Sequence, residues 1–288
     1  MLSYQHAFHA GNHADVIKHL CWIGVINHLK KKNKPFTLFD THSGAGEYQL
    51  DHAMSAKNKE YESGVSKVAQ LSPQSSLLNH YHTLIQTYFD KGMYPGSPML
   101  SANLVREMDN VHLMELHPAE FEKLNHVIFS QQHAAKVGGS CHVHQRDGFE
   151  GIKALTPPQP NRGAVLIDPP YERIQEYTDV SVTVKSVLQR WQQGQIVIWY
   201  PLLSARADKK SQACSAMIAS LVELGIPCFQ AELTVIENTE EAGMYGSGVL
   251  VLNPPWQLDV QLNDALQEVA PHLGDNTAFH LTWLVNDN

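Results

Sequence analysis

Ala164-Val165-Leu166-Ile167-Asp168-Pro169-Pro170-Tyr171 is an apolar run that ends at an acid, two prolines and an aromatic residue. The four apolar residues are typical of a β-strand. The prolines lack a backbone N–H and fix φ, so they end the strand and hold the neighbouring carbonyl groups outward. The segment predicts a strand of an α/β sheet with a rigid turn at its carboxyl end.

The turn after this strand has the residue types that methylation of a nucleobase amine requires. The lone pair of the exocyclic amine of adenine is delocalised into the ring, which makes the nitrogen a poor nucleophile. Asp168 and the Pro169 carbonyl could accept both amine hydrogens and free the lone pair, while Tyr171 could stack on the base. An isolated Asp-Pro-Pro-Tyr nevertheless favours a simple loop, because Asp and Pro are turn residues. The interpretation therefore depends on the rest of the chain.

Short apolar runs alternate with helical patterns along the chain, which predicts a mostly parallel α/β sheet of seven strands. The strands are predicted at residues 36–39, 111–114, 141–144, 164–167, 196–199, 228–236 and 248–252, with 281–285 as a candidate further strand. The last two of the seven follow each other closely and predict an antiparallel hairpin at the sheet edge. The main helical patterns cover residues 12–32, 177–192 and 212–224, with Asn12 as an N-cap and Gly225 as a C-terminal stop.

A glycine loop follows the first predicted strand, with the sequence Asp40-Thr41-His42-Ser43-Gly44-Ala45-Gly46. Gly44 and Gly46 allow the backbone to approach a ligand closely at the carboxyl edge of the sheet. This motif is weak by itself, because Gly-x-Gly is also common in turns.

Acidic residues follow the next predicted strands in the same position. Glu115 ends the second strand, where an acid is the usual partner of ribose hydroxyls, and Asp147 ends the third, where it could bond an adenine amine. Asp147 alone would favour a plain helix cap. Together with the glycine loop and Asp168, however, these residues form an ordered series at the edge where open α/β sheets bind ligands. The series predicts a site for S-adenosylmethionine beside the amine-binding turn.

The spacing of the first two features predicts an insertion. Glu115 follows Asp40 by 75 positions, whereas the usual gap after the glycine loop is about 20 residues. Residues 50–91 have a mainly helical pattern, so we expect a helical insertion there and a Rossmann-like domain formed by residues 1–49 and 92–288. Ser97 as an N-cap and Pro98 at the first helical position predict a helix that runs to about residue 107.

Composition narrows the class of protein. The chain has 288 residues, a net charge of −8 and 43% hydrophobic residues, with no apolar run near the length of a membrane span and no signal-peptide pattern. Four scattered cysteines suit free thiols in the cytoplasm. The acidic balance disfavours an extended nucleic-acid interface but allows a compact one.

We interpret the basic residues 30–34 as a solvated helix end. No third ligand accompanies the His80/His82 or His142/His144 pairs, so we expect no metal site.

A second copy of the amine-binding pattern occurs late in the chain, at Asn253-Pro254-Pro255-Trp256. It also follows an apolar strand. That strand belongs to the predicted hairpin, where the loop should lie away from the methyl donor. Position therefore favours Asp168 over Asn253 as the catalytic residue.

The chain resembles the bacterial 23S rRNA (adenine(2030)-N6)-methyltransferases over nearly its whole length. The matching motifs are Tyr4-x-His6-x-Phe-His-Ala-Gly-Asn-His-Ala-Asp15-Val-x-Lys18-His19, Asp40–Gly46, Tyr94-Pro95-Gly96-Ser97-Pro98, Glu115-Leu116-His117-Pro118, Asp147-Gly148-Phe149, Asp168–Tyr171, Trp199-Tyr200-Pro201 and Asn253–Trp256. The N-terminal block is more specific than any general nucleotide-binding motif.

The resemblance implies a monomeric, cytoplasmic class I methyltransferase that acts on unassembled 23S rRNA with S-adenosylmethionine as the methyl donor. It implies donor contacts from His19, His42, Ser97, Glu115, Asp147 and Gly148. It also places Asp168 as the catalytic residue, and Tyr4, His6 and Lys18 at the RNA substrate, with residues 1–11 as a tail on the substrate side. Aromatic and imidazole rings on such a tail suit stacking on an extruded base.

Other functions share part of these features. A DNA adenine-N6 methyltransferase would use the same amine-binding turn, although a base-reading domain would favour it and the insertion is only about forty residues long. A non-catalytic nucleotide-binding module would keep the sheet and transfer nothing. A nicotinamide oxidoreductase is disfavoured, because it leaves Asp-Pro-Pro-Tyr unexplained.

Overall fold

The computed structural model describes residues 6–50, 59–134, 138–274 and 276–286. The helices are α1 (His13–Lys30), α2 (Glu60–Ser63), α3 (Val65–Ala69), α4 (Ser76–Phe89), α5 (Ser97–Leu104), α6 (Pro118–His133), α7 (Gly148–Leu155), α8 (Gln175–Arg190), α9 (Lys209–Val222) and α10 (Leu258–Val269). The strands are β1 (Thr37–Asp40), β2 (Glu47–Gln49), β3 (Met93–Pro95), β4 (Asn110–Glu115), β5 (Ser140–Gln145), β6 (Gly163–Ile167), β7 (Gln195–Leu203), β8 (Cys228–Thr234), β9 (Met244–Leu252) and β10 (Ala278–Val285).

Eight strands form the main sheet, in the order β10-β8-β9-β7-β6-β1-β4-β5. Strands β5, β4, β1, β6 and β7 pair in parallel, and β9, β8 and β10 add antiparallel pairs. The predicted mostly parallel α/β sheet is confirmed, but it has eight strands rather than seven. The β8–β9 hairpin is not at the edge as predicted, because β10 pairs with β8 and covers its outer side.

The register of β9 separates the two copies of the amine-binding pattern. Leu252 at the end of β9 pairs with Ile196 near the start of β7, so β9 ends at the amino edge of the parallel strands. Asn253 therefore lies at the opposite sheet edge from the tip of β6. Its side-chain amide donates to the backbone carbonyls of Gln192 and Gly194 at 2.8 and 2.9 Å.

Helix α1 positions the N-terminal motif inside the molecule. The predicted N-cap is confirmed, because the Asn12 side chain accepts from the backbone N–H groups of Ala14 and Asp15. The helix is buried along most of its length and packs against the sheet and against α4, α5 and α10. Lys18 and His19 are therefore held rigidly among core side chains.

The predicted start and end of α5 are wrong. The N-cap residue is Gly96, and the helix ends at Leu104 rather than near residue 107. The start differs because Ser97 Oγ donates to Asp40 Oδ2 at 2.6 Å and is therefore not used to cap its own helix. At the other end, the backbone of Val105 is already extended. Proline occupies the first turn, as expected.

Helices α2, α3 and α4 occupy the region of the predicted insertion, and a small antiparallel pair, β2–β3, joins its two ends. Leu78 and Tyr81 of α4 are fully buried in the same hydrophobic core as α1. The division into a main domain and a subdomain at residues 50–91 stays a prediction. Within the described ranges, no helix has the length and apolar character needed to cross a membrane.

Candidate active site

The loops after β1, β4, β5 and β6 converge at the carboxyl edge of the sheet around a cavity of about 490 Å³. Its lining includes most of the residues predicted to hold the methyl donor: His19, His42, Gly44, Ser97, Glu115, Asp147 and Gly148. Gly46 is the exception. Gly46 has φ +85°, and a Cβ there would contact the buried Leu124 side chain. Gly46 therefore fixes the conformation of the loop on the side that packs against the core.

Backbone N–H groups hold the Glu115 carboxylate at this edge. Gly44 N donates to Oε2 and His117 N donates to Oε1, both at 2.7 Å. Burial raises the pKa of Glu115, although these two hydrogen bonds oppose the shift. Gly44 has φ +61°, which glycine adopts without strain. The glycine loop and the tip of β4 are thus fixed to each other.

Gly148 lets the turn after β5, which contains Asp147, approach the glycine loop. A Cβ at this position would collide with the Thr41 carbonyl oxygen, so only glycine fits. The neighbouring Asp147 caps α7 by accepting from Glu150 N at 3.0 Å. Asp147 is therefore a helix cap and also a lining residue of the cavity.

Asp40 is buried and binds two residues that line the cavity, Ser97 and His42. Its carboxylate accepts from Ser97 Oγ at 2.6 Å and from His42 N at 3.3 Å. Burial raises the pKa of Asp40 to about 6 despite the hydrogen bond from Ser97. Burial also lowers the pKa of His42 to about 4, so this imidazole is neutral at physiological pH.

His19 carries a buried nitrogen at the same cavity. Its Nδ1 lies 2.7 Å from Tyr94 Oη, and that hydroxyl lies 3.1 Å from Tyr81 Oη. Its Nε2 is buried and has no hydrogen-bond partner among the described residues. Burial lowers the pKa of His19 to about 3. The cavity is thus lined by a neutral imidazole whose Nε2 lies 3.8 Å from Asp15 Oδ1, beyond hydrogen-bond distance.

A buried cation joins Asp168 to the N-terminal segment. Lys18 Nζ donates to Asp168 Oδ2 at 2.5 Å and forms an ion pair with Asp15 Oδ1 at 2.7 Å. Asp15 Oδ2 also accepts from Gly11 N at 2.7 Å and contacts His6 Nε2 at 3.1 Å. Burial opposes charge on Lys18, but Asp15 and Asp168 raise the pKa of its ammonium. Burial alone would raise the pKa of Asp15, yet Lys18, His6 and His19 hold it well below its usual value.

A second cavity, of about 720 Å³, adjoins the first at this ion-pair network. His6, Lys18, Asp168 and Pro170 line both cavities. Asp168, at the tip of β6, thus lines both the cavity of the predicted donor residues and the larger cavity. Tyr4, the other residue predicted at the substrate, lies outside the described residues.

Tyr171 is set into the wall of the larger cavity. It has φ +49°, it is 3% exposed, and its hydroxyl donates to the Trp199 carbonyl oxygen at 2.9 Å. Its ring packs on Tyr177 with centroids 4.4 Å apart. Pro169 is buried and lines neither cavity, whereas Pro170 lines both. The roles predicted for the Tyr171 ring and the Pro169 carbonyl stay predictions.

Comparison with known proteins identifies the family. The family model described as "Ribosomal RNA large subunit methyltransferase D, RlmJ" matches residues 33–285. This chain belongs to the RlmJ family. The family predicted from the sequence motifs is thereby confirmed.

Relatives of the RlmJ family match over nearly their whole length. The chain is 37% identical to "Ribosomal RNA large subunit methyltransferase J" of Escherichia coli (strain K12), covering 99% of each chain. It is 35% identical to the protein of the same name from Haemophilus influenzae, covering 95% of this chain and 93% of the relative. A crystal structure of a Legionella pneumophila protein, 28% identical, superposes with a TM-score of 0.85 and covers 96% of this chain and 98% of its own. The class I methyltransferase fold is confirmed.

Sequence reasoning missed two parts of this RlmJ-family site. Asp15 contacts the backbone of the N-terminal segment, His6 and Lys18, and its i, i+3 spacing to Lys18 on one helix could have revealed the ion pair. The basic residues Arg206, Lys209 and Lys210 line the larger cavity, and no local pattern connects them to Asp168.

Proposed function

We propose that this chain transfers a methyl group from S-adenosylmethionine to the N6 amine of an adenine in 23S rRNA. The observation that carries the proposal is the position of Asp168, at the junction of two adjoining cavities and at the tip of a central strand. Membership of the RlmJ family supports ribosomal RNA as the substrate class.

The smaller cavity fits S-adenosylmethionine. Its volume of about 490 Å³ is within the usual range for such ligands. His19 Nε2 makes no hydrogen bond to a described residue, although it lies 3.8 Å from Asp15 Oδ1, so it would offer the donor a polar contact. We assign the donor to His19, His42, Gly44, Ser97, Glu115, Asp147 and Gly148, with Gly46 shaping the loop behind them. When bound, the donor supplies an electrophilic methyl group on a sulfonium.

The chain's own residues would position and activate the amine. Lys18 uses Asp168 Oδ2, so Asp168 Oδ1 is the oxygen left to accept an adenine N–H. The Pro169 carbonyl would accept the second hydrogen, and Tyr171 would support the base. The buried Lys18 ammonium pairs with the Asp168 carboxylate through Oδ2 and holds the side chain in place. His6, Lys18 and Tyr4 would contact the RNA on the side of the larger cavity.

The base must leave its helix to reach this site. We therefore propose that a monomeric, cytoplasmic enzyme acts on 23S rRNA before assembly, when the target strand is accessible. Methylation of naked 23S rRNA should exceed methylation of the assembled large subunit under matched conditions. Equal labelling of both would contradict this part of the proposal without affecting the chemistry.

Incubation with radiolabelled S-adenosylmethionine and unmodified 23S rRNA tests the function directly. We expect the label in N6-methyladenine after nuclease digestion. Competition with DNA of the same sequence separates RNA from DNA specificity. Donor binding without transfer to either nucleic acid would instead support a non-catalytic module.

A further inference from the structure

Three cationic side chains line the larger cavity, which Asp168 also lines: Arg206, Lys209 and Lys210. Arg206 and Lys209 are exposed, and Lys210 is half-buried. Within the described ranges, none of the three side chains makes a hydrogen bond or an ion pair. This chain has 21 basic residues against 29 acidic ones, so three cations within five positions beside the site are a local exception.

The stability of helix α9 does not explain why Lys209 and Lys210 occur at its start. Lys209 and Lys210 occupy the first turn of α9, which contains no acidic residue, and Asp208 before it makes no side-chain capping hydrogen bond. Cations near a helix N-terminus oppose the helix dipole. Lys209 and Lys210 therefore lower the stability of the protein when no ligand is bound.

The other basic cluster of the chain has an ordinary structural role. Lys31 and Lys32 follow the last turn of α1, where cations are favourable to the dipole. Arg106 donates to the Lys32 and Lys34 carbonyl oxygens at 3.0 and 2.9 Å, which fixes this segment to the body of the protein. The two lysine pairs thus carry the same charge, but Lys31 and Lys32 lie at a helix C-terminus, whereas Lys209 and Lys210 lie at a helix N-terminus.

The remaining lining of the larger cavity suits a nucleotide. Ile174, Leu203 and Met244 present apolar surface on which a base can lie. Four acids also line it: Asp15, Asp168, Glu172 and Asp208. Asp15 and Asp168 are paired with Lys18, and Asp208 accepts from Gln212 Nε2 at 3.2 Å. Apolar surface next to unpaired cations matches an unstacked base and the phosphates on either side of it.

We propose that Arg206, Lys209 and Lys210 bind the phosphates that flank the target adenine in a single-stranded segment of RNA. The inference rests on the proposed function, because Asp168 defines which base enters the cavity. It explains how a protein of net charge −8 can hold a polyanion.

RNA binding tests the proposal independently of turnover. We would measure the affinity of a fluorescently labelled, unmodified 23S rRNA transcript by anisotropy across a salt series, for the wild type, Arg206→Ala and Lys209→Ala/Lys210→Ala. Lys31→Ala/Lys32→Ala is the matched control, since it removes the same charge about 20 Å along α1 from Lys18.

We expect Arg206→Ala and the 209/210 double variant to weaken binding about tenfold and to flatten the salt slope by about 0.7 to 0.9 per lost phosphate contact. The methylation assay should show a raised KM with kcat within about twofold. The control should match the wild type in RNA affinity, salt slope, KM and kcat. The melting temperature of the 209/210 variant should stay level or rise, because the helix dipole is relieved.

Unchanged affinity and salt slope in both cavity variants would overturn the phosphate assignment, as would an equal loss in the 31/32 control. Failure of the wild type to label adenine, with the binding losses as expected, would instead overturn the methylation step and leave the phosphate site standing.

Discussion

Lys18 Nζ and Asp168 Oδ2 lie 2.5 Å apart although the two residues are separated by 150 positions in the chain. The Lys18 side chain is 5% exposed and that of Asp168 is 13% exposed, so the pair is largely shielded from water. Asp15 completes a three-membered network with a net charge of −1. The network ties the proposed catalytic carboxylate to the N-terminal segment and limits it to one orientation.

Lys18→Met should destabilise the protein and slow methyl transfer. Two carboxylates would be left buried without a cation, which costs about 3 to 5 kcal/mol of unfolding free energy. A freed Asp168 would lose its orientation and reduce kcat about 100-fold. Urea unfolding and single-turnover methylation measure the two effects, with Lys32→Met as an exposed control.

Asp15→Asn combined with Lys18→Met should destabilise the protein by less than the two changes added together. Removing Asp15 as well leaves one carboxylate instead of two without a cation. The double variant should therefore be less destabilised than the sum of the single variants. Strict additivity in urea unfolding would show that Asp15 and Lys18 do not act as a pair.

Asp168→Ala should lower kcat by about 100- to 1000-fold, because the amine loses a positioned hydrogen-bond acceptor. Asn253→Ala is the natural control, since it alters the same sequence pattern at the opposite sheet edge. It should retain full activity and lose about 1 to 2 kcal/mol of unfolding free energy with its hydrogen bonds to Gln192 and Gly194. The reverse outcome for activity would move the catalytic site to Asn253.

Asp40→Asn should change the pH dependence of stability. Because burial raises the pKa of folded Asp40 to about 6, the folded state favours the protonated form. Its stabilising contribution is complete below the unfolded pKa, near 4, and is lost as pH rises through about 6. The wild type should thus gain up to about 3 kcal/mol over the variant between pH 7.5 and pH 4. Urea unfolding across that range measures the difference, and parallel curves would exclude the shift.

Gly148→Ala should impair donor binding. The added Cβ would push against the Thr41 carbonyl oxygen and displace the tip of β5 from the glycine loop. We expect at least a tenfold loss of S-adenosylmethionine affinity in calorimetry. Gly225→Ala is the control: it has φ +64° and open space around it, so it should cost about 1 kcal/mol of stability and leave donor binding unchanged. Equal donor affinity in both variants would contradict the role given to Gly148.

The sequence by itself determined the parts of the structure that local patterns encode. Strand β6 with Asp168, the glycine loop, Glu115 and Asp147 could each be located because apolar runs, turn residues and helix caps depend on neighbours in the chain. Their order along the sequence was enough to place them at one sheet edge, because parallel strands share a direction.

Only the tertiary structure decided how distant segments meet. The pairing of β10 with β8 made an eighth strand and moved the hairpin from the sheet edge, and a short apolar run does not specify its partner. The contact of Lys18 with Asp168 and the approach of the α9 lysines to the same cavity depend on packing between segments far apart in sequence. Such contacts leave no periodic signal, since they form only when the whole core is assembled.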